Sequence, residues 1–211
     1  MLRLWWAFLR LFFRLLYNEF AWAYDLVAWV VSLGQWQAWG RTAIGHLRGK
    51  RVLELAHGPG HLLAAMAKQS LTPVGLDLSP YMGRLAKRRL WKERLAVPLV
   101  RARAQKLPFC DGCFDSSVAT FPTEFMLDPA ALREAARVMR SRGRLVVVAW
   151  AGLGGRDLLS RFIGWLYRVT GQGKPPPGMG EQVAIKAGFV PRTVREQVGH
   201  SEVMLFVAQK R

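Results

Sequence analysis

Between Lys50 and about Trp150 the chain repeats one pattern: a short, nearly continuous apolar run, a turn, then a stretch with helical spacing. Strands apolar on both sides need cover on both faces, and connections of helix length let successive strands run parallel. The strand runs are RVLELA (51–56), PVGLDLS (73–79), PLVRARA (98–104), DSSVATF (115–121) and RLVVVAW (144–150). HLLAAMAKQ, YMGRLAKRRLWKERL and DPAALREAARVMR are the helices between them, the last with Asp128 as N-cap and Pro129 at the first helical position. Beyond a Pro/Gly-rich loop, EQVAIKAGF reads as a helix closed by Gly188. Two further strands, about 190–198 and 202–209, meet at a tight GHS turn and should therefore pair antiparallel. The pattern predicts an α/β fold with a doubly wound, mostly parallel seven-stranded sheet and an antiparallel last strand. The 211 residues suffice for one sizeable core, so residues 48–211 read as the domain and 1–47 as apolar, amphipathic helices placed before it.

Within this pattern, RVLELAHGPGHL places an acid, Glu54, near the end of a strand that runs into Gly58 and Gly60 at the start of a helix. Glycines at such a turn let the backbone approach a ligand, and a helix N-terminus offers N–H groups. The three-glycine dinucleotide pattern is incomplete. A second acid, Asp77, stands at the tip of the next strand, where a carboxylate can accept both hydroxyls of a ribose. Acid, glycine turn and second acid together are far more specific than any one of them.

RVLELAHGPGHL, VGLDLSPYM, AQKLPFCDGCFDSSVATF and LREAARVMRSRGRLVVV resemble, in order and spacing, the successive motifs of class I S-adenosylmethionine-dependent methyltransferases. The resemblance covers about residues 17–150 and is nearest to the ubiquinone/menaquinone-type and phospholipid-type branches. It implies a Rossmann-like domain, S-adenosyl-L-methionine as cofactor and S-adenosyl-L-homocysteine as product, with no metal. By the same resemblance, Glu54 faces the methionine amino group and the turn from Ala56 through His57 and Gly58 to Gly60 passes under the methionine moiety. Asp77 holds the ribose, with Leu78 and Met82 flanking the adenine. Where the family usually has an acid for the adenine amino group, this chain has Arg103, followed by Ala104 and Gln105, so backbone N–H groups and Gln105 are left to read the base. Ala56 also stands where the family commonly has glycine, and alanine tolerates positive φ poorly.

Methyl transfer from a sulfonium is an in-line displacement, so alignment matters more than a strong base. TFPTEF (120–125), beginning with Thr120 and Phe121, should line the methyl-donor pocket. It lacks the Asn-Pro-Pro-aromatic sequence of amino-methylating nucleic-acid enzymes. Tyr24, His57 and Glu124 are the titratable candidates for proton transfer, and packing or capping roles fit each equally well. YNEFAWAYDLVAWVV (17–31) resembles the family's lid helix, which would bring Tyr17 and Tyr24 over the cofactor. Cys110 and Cys113 form a lone CxxC in a turn with no second ligand pair, and read as turn residues.

The N-terminus, MLRLWWAFLRLFFRLLY, carries Arg3, Arg10 and Arg14 on one helical stripe within Trp, Phe and Leu. No uncharged run in it reaches the roughly 18–20 residues of a membrane span. It also lacks the unbroken core and small-residue cleavage site of an export signal. An interfacial helix over residues 1–16 fits best, and a net charge of +17 with nine tryptophans points the same way, toward an anionic membrane surface. The expectation is a cytoplasmic protein held at the inner face of the membrane, acting on a lipophilic small molecule, either a phospholipid amine or a quinone-like ring. Rival readings are an RNA methyltransferase using the basic helix GRLAKRRLWKER, a non-catalytic membrane-associated protein of this fold, and burial of the apolar N-terminus in a homo-oligomer.

Overall fold

The computed structural model describes residues 24–122, 124–154 and 180–211. Its centre is a seven-stranded sheet in the order β3-β2-β1-β4-β5-β7-β6. The strands are β1 (Arg51–Leu55), β2 (Thr72–Asp77), β3 (Leu99–Arg101), β4 (Phe114–Thr120), β5 (Met139–Leu153), β6 (Phe189–Val198) and β7 (Ser201–Lys210). Neighbours from β3 to β5 pair parallel, whereas β7 runs antiparallel to both β5 and β6. The expected sheet, including its antiparallel last strand, is present.

Alternate residues of the central strands feed two cores. Val52, Val118, Val146 and Val148 pack on one face with α3 (His61–Lys68), through Leu62, Leu63 and Met66. Leu53, Leu55, Leu145 and Val147 pack on the other with α5 (Pro129–Val138) and α6 (Glu181–Lys186). Gly75 shows how closely β2 and its cover approach. A Cβ there would lie 2.6 Å from Leu63 Cδ1, 2.8 Å from His57 Cδ2 and 2.9 Å from Leu99 Cδ2.

Helix starts follow their capping residues. Asp128 accepts from the Ala130 amide at 2.8 Å with Pro129 next in line. Ser79 likewise caps α4 (Pro80–Lys92), accepting from Met82 N at 3.3 Å. Before the sheet, α1 (Tyr24–Ser32) and α2 (Trp36–Arg41) are separated at Leu33 and Gly34, both with positive φ, and a 3₁₀ turn follows over Thr42–His46. This segment docks through distant partners: His46 Nε2 meets Glu196 Oε1 at 2.6 Å, and Ser201 Oγ donates to Gln35 Oε1 at 2.8 Å.

Boundaries shift from the sequence expectation in several places. The helix expected to run through Arg140 ends at Val138, because Met139 already pairs with Phe114 and begins β5, which then irregularly shifts register before Arg144. The third strand is only Leu99–Arg101 long and pairs with β2 alone, at the sheet edge. Ala56 leaves β1 with φ 55°, which starts the glycine turn.

Candidate active site

The C-terminal ends of β1 and β4, where the strand order reverses, open into a cleft. Clefts at this topological position are where open α/β sheets take ligands. Its wall includes Glu54, Ala56, His57 and Gly58 from the first strand and its turn, and Thr120 and Phe121 from the end of β4. Trp36, Gln37 and Arg41 of α2, with Pro59 and His61 at the head of α3, complete it.

Glu54 is the sharpest feature. It sits on a central strand paired on both sides, only 1% exposed, and its Oε2 has no hydrogen-bond partner among the described residues. Burial, reinforced by the nearby Asp77 charge, pushes its carboxyl well above the usual range, against a backbone hydrogen bond from Leu63. A buried carboxylate oxygen left unpaired beside a cleft is a docking point for a cationic or hydrogen-donating ligand.

Asp77 is already oriented. Its Oδ2 accepts from Gly58 N at 2.9 Å and its Oδ1 from Ser79 N at 2.8 Å, which locks the rotamer at the tip of β2. Each oxygen keeps accepting capacity for a ligand hydroxyl. The turn between the acids reverses through Ala56 (φ 55°), Gly58 (φ 53°) and Gly60 (φ 80°), the last being the N-cap of α3. The alanine thus stands in a left-handed conformation that suits glycine. Gly58 faces open space, so the backbone is accessible there.

His57 is buried, and burial lowers its pKa against the opposing pull of Asp77. Its Nδ1 lies 2.7 Å from the Gly58 carbonyl, so Nδ1 carries the proton and Nε2 is the acceptor nitrogen. Phe121 is a second strained residue, at φ 46°, anchored by its amide donating to Val148 O at 2.8 Å. Its ring lies against Trp36, with centroids 4.2 Å apart, and edge-on to Trp39 at 6.3 Å. One wall of the cleft is therefore aromatic.

Among the described residues, the other expected site residues are not in the wall of this cleft. Leu78 is exposed just after β2, and Met82 is buried inside α4. Arg103 and Gln105 are exposed beyond β3 while Ala104 is buried; the Gln105 amide donates to Asp128 Oδ2 at 3.0 Å. Tyr24 opens α1 and Glu124 opens a 3₁₀ turn (Glu124–Leu127), with neither side chain among those described; Tyr17 falls outside the described residues.

Sequence reasoning missed α2 and its Trp36, Gln37 and Arg41. It also missed the tie that closes the head of the cleft, where Asp25 of α1 meets His61 Nε2 at 3.0 Å and Arg89 Nη2 at 2.6 Å. Arg89 also donates to the Pro59 carbonyl. Burial pushes the Asp25 carboxyl up, but His61 and Arg89 outweigh it and the net shift is downward. The Trp-x-x-Trp spacing of α2 was the available signal. Among the described residues no group of His, Cys, Asp or Glu is placed to hold a metal, and Cys110 and Cys113 are unbridged.

Residues 53–147 match the family described as a methyltransferase domain. Demethylmenaquinone methyltransferase of Renibacterium salmoninarum is 34% identical over 125 residues, covering 57% of this chain and 51% of that protein. The enzyme of the same name from Mycolicibacterium paratuberculosis is 39% identical over 121 residues, covering 56% and 50%. The chain thus spans about half the length of these curated relatives. Among solved structures, geranyl diphosphate C-methyltransferase of Streptomyces coelicolor A3(2), bound to Mg²⁺, geranyl diphosphate and S-adenosyl-L-homocysteine, superposes with a TM-score of 0.61 at 14% identity, covering 82% of this chain and 78% of that one. At that identity the likeness concerns the fold. With this strand order and these motifs, residues 53–147 form a methyltransferase domain of the class I, S-adenosylmethionine-dependent kind. The cofactor of the class is S-adenosyl-L-methionine.

Proposed function

We propose that this protein transfers a methyl group from S-adenosylmethionine to a lipophilic acceptor of the quinone-ring type, at the inner face of a membrane. The observation that carries the reading is the unpaired Oε2 of Glu54 in the cleft that Asp77 adjoins. The cofactor's methionine end has an ammonium and its ribose two hydroxyls, so this pair of acids fits it. Glu54 would take the ammonium, and Asp77 the ribose hydroxyls on its locked carboxylate. The turn from Ala56 to Gly60 would run beneath the methionine. S-adenosylmethionine supplies an electrophilic methyl on a sulfonium, and the protein's task is to line up the acceptor behind it.

The aromatic wall of Trp36 and Phe121 suits a flat, apolar ring. Thr120 and Phe121, at the end of β4, would set its distance from the glycine turn. A hydroxylated ring becomes a better carbon nucleophile on losing its proton, and the neutral His57, with an acceptor nitrogen on a ring lining the cleft, is placed to take it. The names of the relatives support a quinone-type ring over a phospholipid amine. Residues 1–16 lie outside the described residues, so membrane anchoring rests on their sequence; among the described residues no helix is long and apolar enough to cross a membrane.

The deciding experiment offers methyl-labelled cofactor to the protein with a demethylated quinone, total lipid, or total RNA. Label in the quinone, or in the quinone fraction of total lipid, is expected. Label confined to RNA, or to phospholipid, would overturn the assignment.

A further inference from the structure

Two helices of the described domain present exposed stripes of complementary kinds. On α1, Leu26, Trp29 and Val30 recur at helical spacing, Leu33 follows just past the helix end, and all four are exposed, Trp29 at 61%. On α4, Arg84, Lys87, Arg88 and Trp91 recur at the same spacing, all exposed, with Trp91 at 77%. Tyr81 extends this second stripe and lies under the Arg84 guanidinium, 4.4 Å from ring centroid to carbon. The acid nearest its far end, Glu93, is paired with Lys68 of α3 at 2.7 Å, so among the described residues no acid compensates the stripe's cations. Asp25 of α1 joins Arg89 of α4, and both are tied to the head of the cleft at His61 and Pro59.

We infer that these two stripes form a docking surface for an anionic phospholipid bilayer, built into the methyltransferase domain itself and additional to residues 1–16. The inference rests on the lipophilic-acceptor reading above, since it sets the cleft head beside the lipid that dissolves the acceptor. Cations on α4 match anionic headgroups, and exposed indoles prefer the depth where headgroups meet acyl chains. The aliphatic members of the α1 stripe decide between polyanions. Leu26, Val30 and Leu33 gain from burial in acyl chains, whereas a nucleic acid offers them phosphate and sugar.

The test uses the full chain and vesicles of equimolar phosphatidylcholine and phosphatidylglycerol, with pure phosphatidylcholine as reference. The Lys87→Gln/Arg88→Gln double variant should partition about thirtyfold less onto the anionic vesicles at low salt. Trp91→Ala and Leu33→Gln should each weaken binding to a smaller degree and with little dependence on salt. All these variants should keep wild-type cofactor affinity and label a detergent-dispersed acceptor at the wild-type rate. Wild-type partitioning by the double variant would overturn the surface, because residues 1–16 would then account for all of the binding. Retention by single-stranded RNA, with none by vesicles, would overturn it in favour of nucleic acid. Failure to label any dispersed acceptor, with vesicle binding lost as expected, would count against the proposed reaction and leave the surface standing.

Discussion

Replacing Glu54 with glutamine keeps the side chain's shape and removes its charge, and it should move two properties in opposite directions. In the cofactor-free protein the carboxylate is buried with Oε2 unpaired and Asp77 nearby, so the fold holds its pKa above the unfolded value. Between those two values folding takes up a proton, so stability falls as pH rises through that window, and the full cost is present above it. Glu54→Gln removes this cost of burying the charge and leaves a neutral amide in its place, so Tm should rise by up to about a few degrees at a pH where the wild-type carboxyl ionises. On the role proposed for Glu54, the same change replaces a charge-assisted hydrogen bond to the ligand's ammonium by a neutral one. Losing about 1.5–3 kcal/mol there weakens binding roughly 10- to 150-fold. Thermal melts with and without S-adenosylmethionine, alongside calorimetric titration, read both effects. Wild-type affinity should rise with pH as Glu54 deprotonates, and the variant should lose that slope. A variant that binds as tightly as wild type, or melts lower without ligand, refutes the role assigned to Glu54.

Ala56→Gly should raise stability by up to about 1 kcal/mol in thermal melts, because relief of the left-handed strain exceeds the added chain entropy; a lower Tm would mean the strain is absent. Gly75→Ala should cost about 1–3 kcal/mol by chemical denaturation, since the new methyl presses on Leu63, His57 and Leu99 together. It should also weaken cofactor binding by displacing His57, and a neutral result on both would contradict the packing described. Trp36→Ala should raise KM for an aromatic acceptor about tenfold while leaving cofactor affinity within twofold, on the loss of an aromatic contact worth about 0.5–1.5 kcal/mol plus its buried area. An equal loss for both ligands would move Trp36 to the cofactor's side of the cleft.

Local chemistry made much of this molecule readable in advance. The strand–turn–helix around Glu54, the cap at Asp128 and Pro129, and the Gly199-centred hairpin turn each depend on residues within a few positions of one another. Asp77 was legible for the same reason, since a strand tip before a capped helix is a local pattern. What escaped was set by distance along the chain. Gln35 meets Ser201 and His46 meets Glu196 only after the sheet closes, and these contacts carry α2, with Trp36, to the cleft. The early end of α5 escaped too, because Met139 reads as helical until Phe114 claims it for the sheet.

Asp77's grip on the Gly58 amide has a consequence for which nucleotides the cleft admits. In a phosphate-binding loop the corresponding N–H groups wait for an anion, but here the first is already occupied by a carboxylate. An incoming pyrophosphate would have to displace that carboxylate and then lie beside its charge. On the roles proposed for the two acids, the cleft floor would work as a charge filter, disfavouring dinucleotides and nucleoside triphosphates and admitting a nucleoside that carries a positive sulfur and an ammonium. A competition series in which adenosine derivatives lose affinity with each added phosphate would show the filter at work.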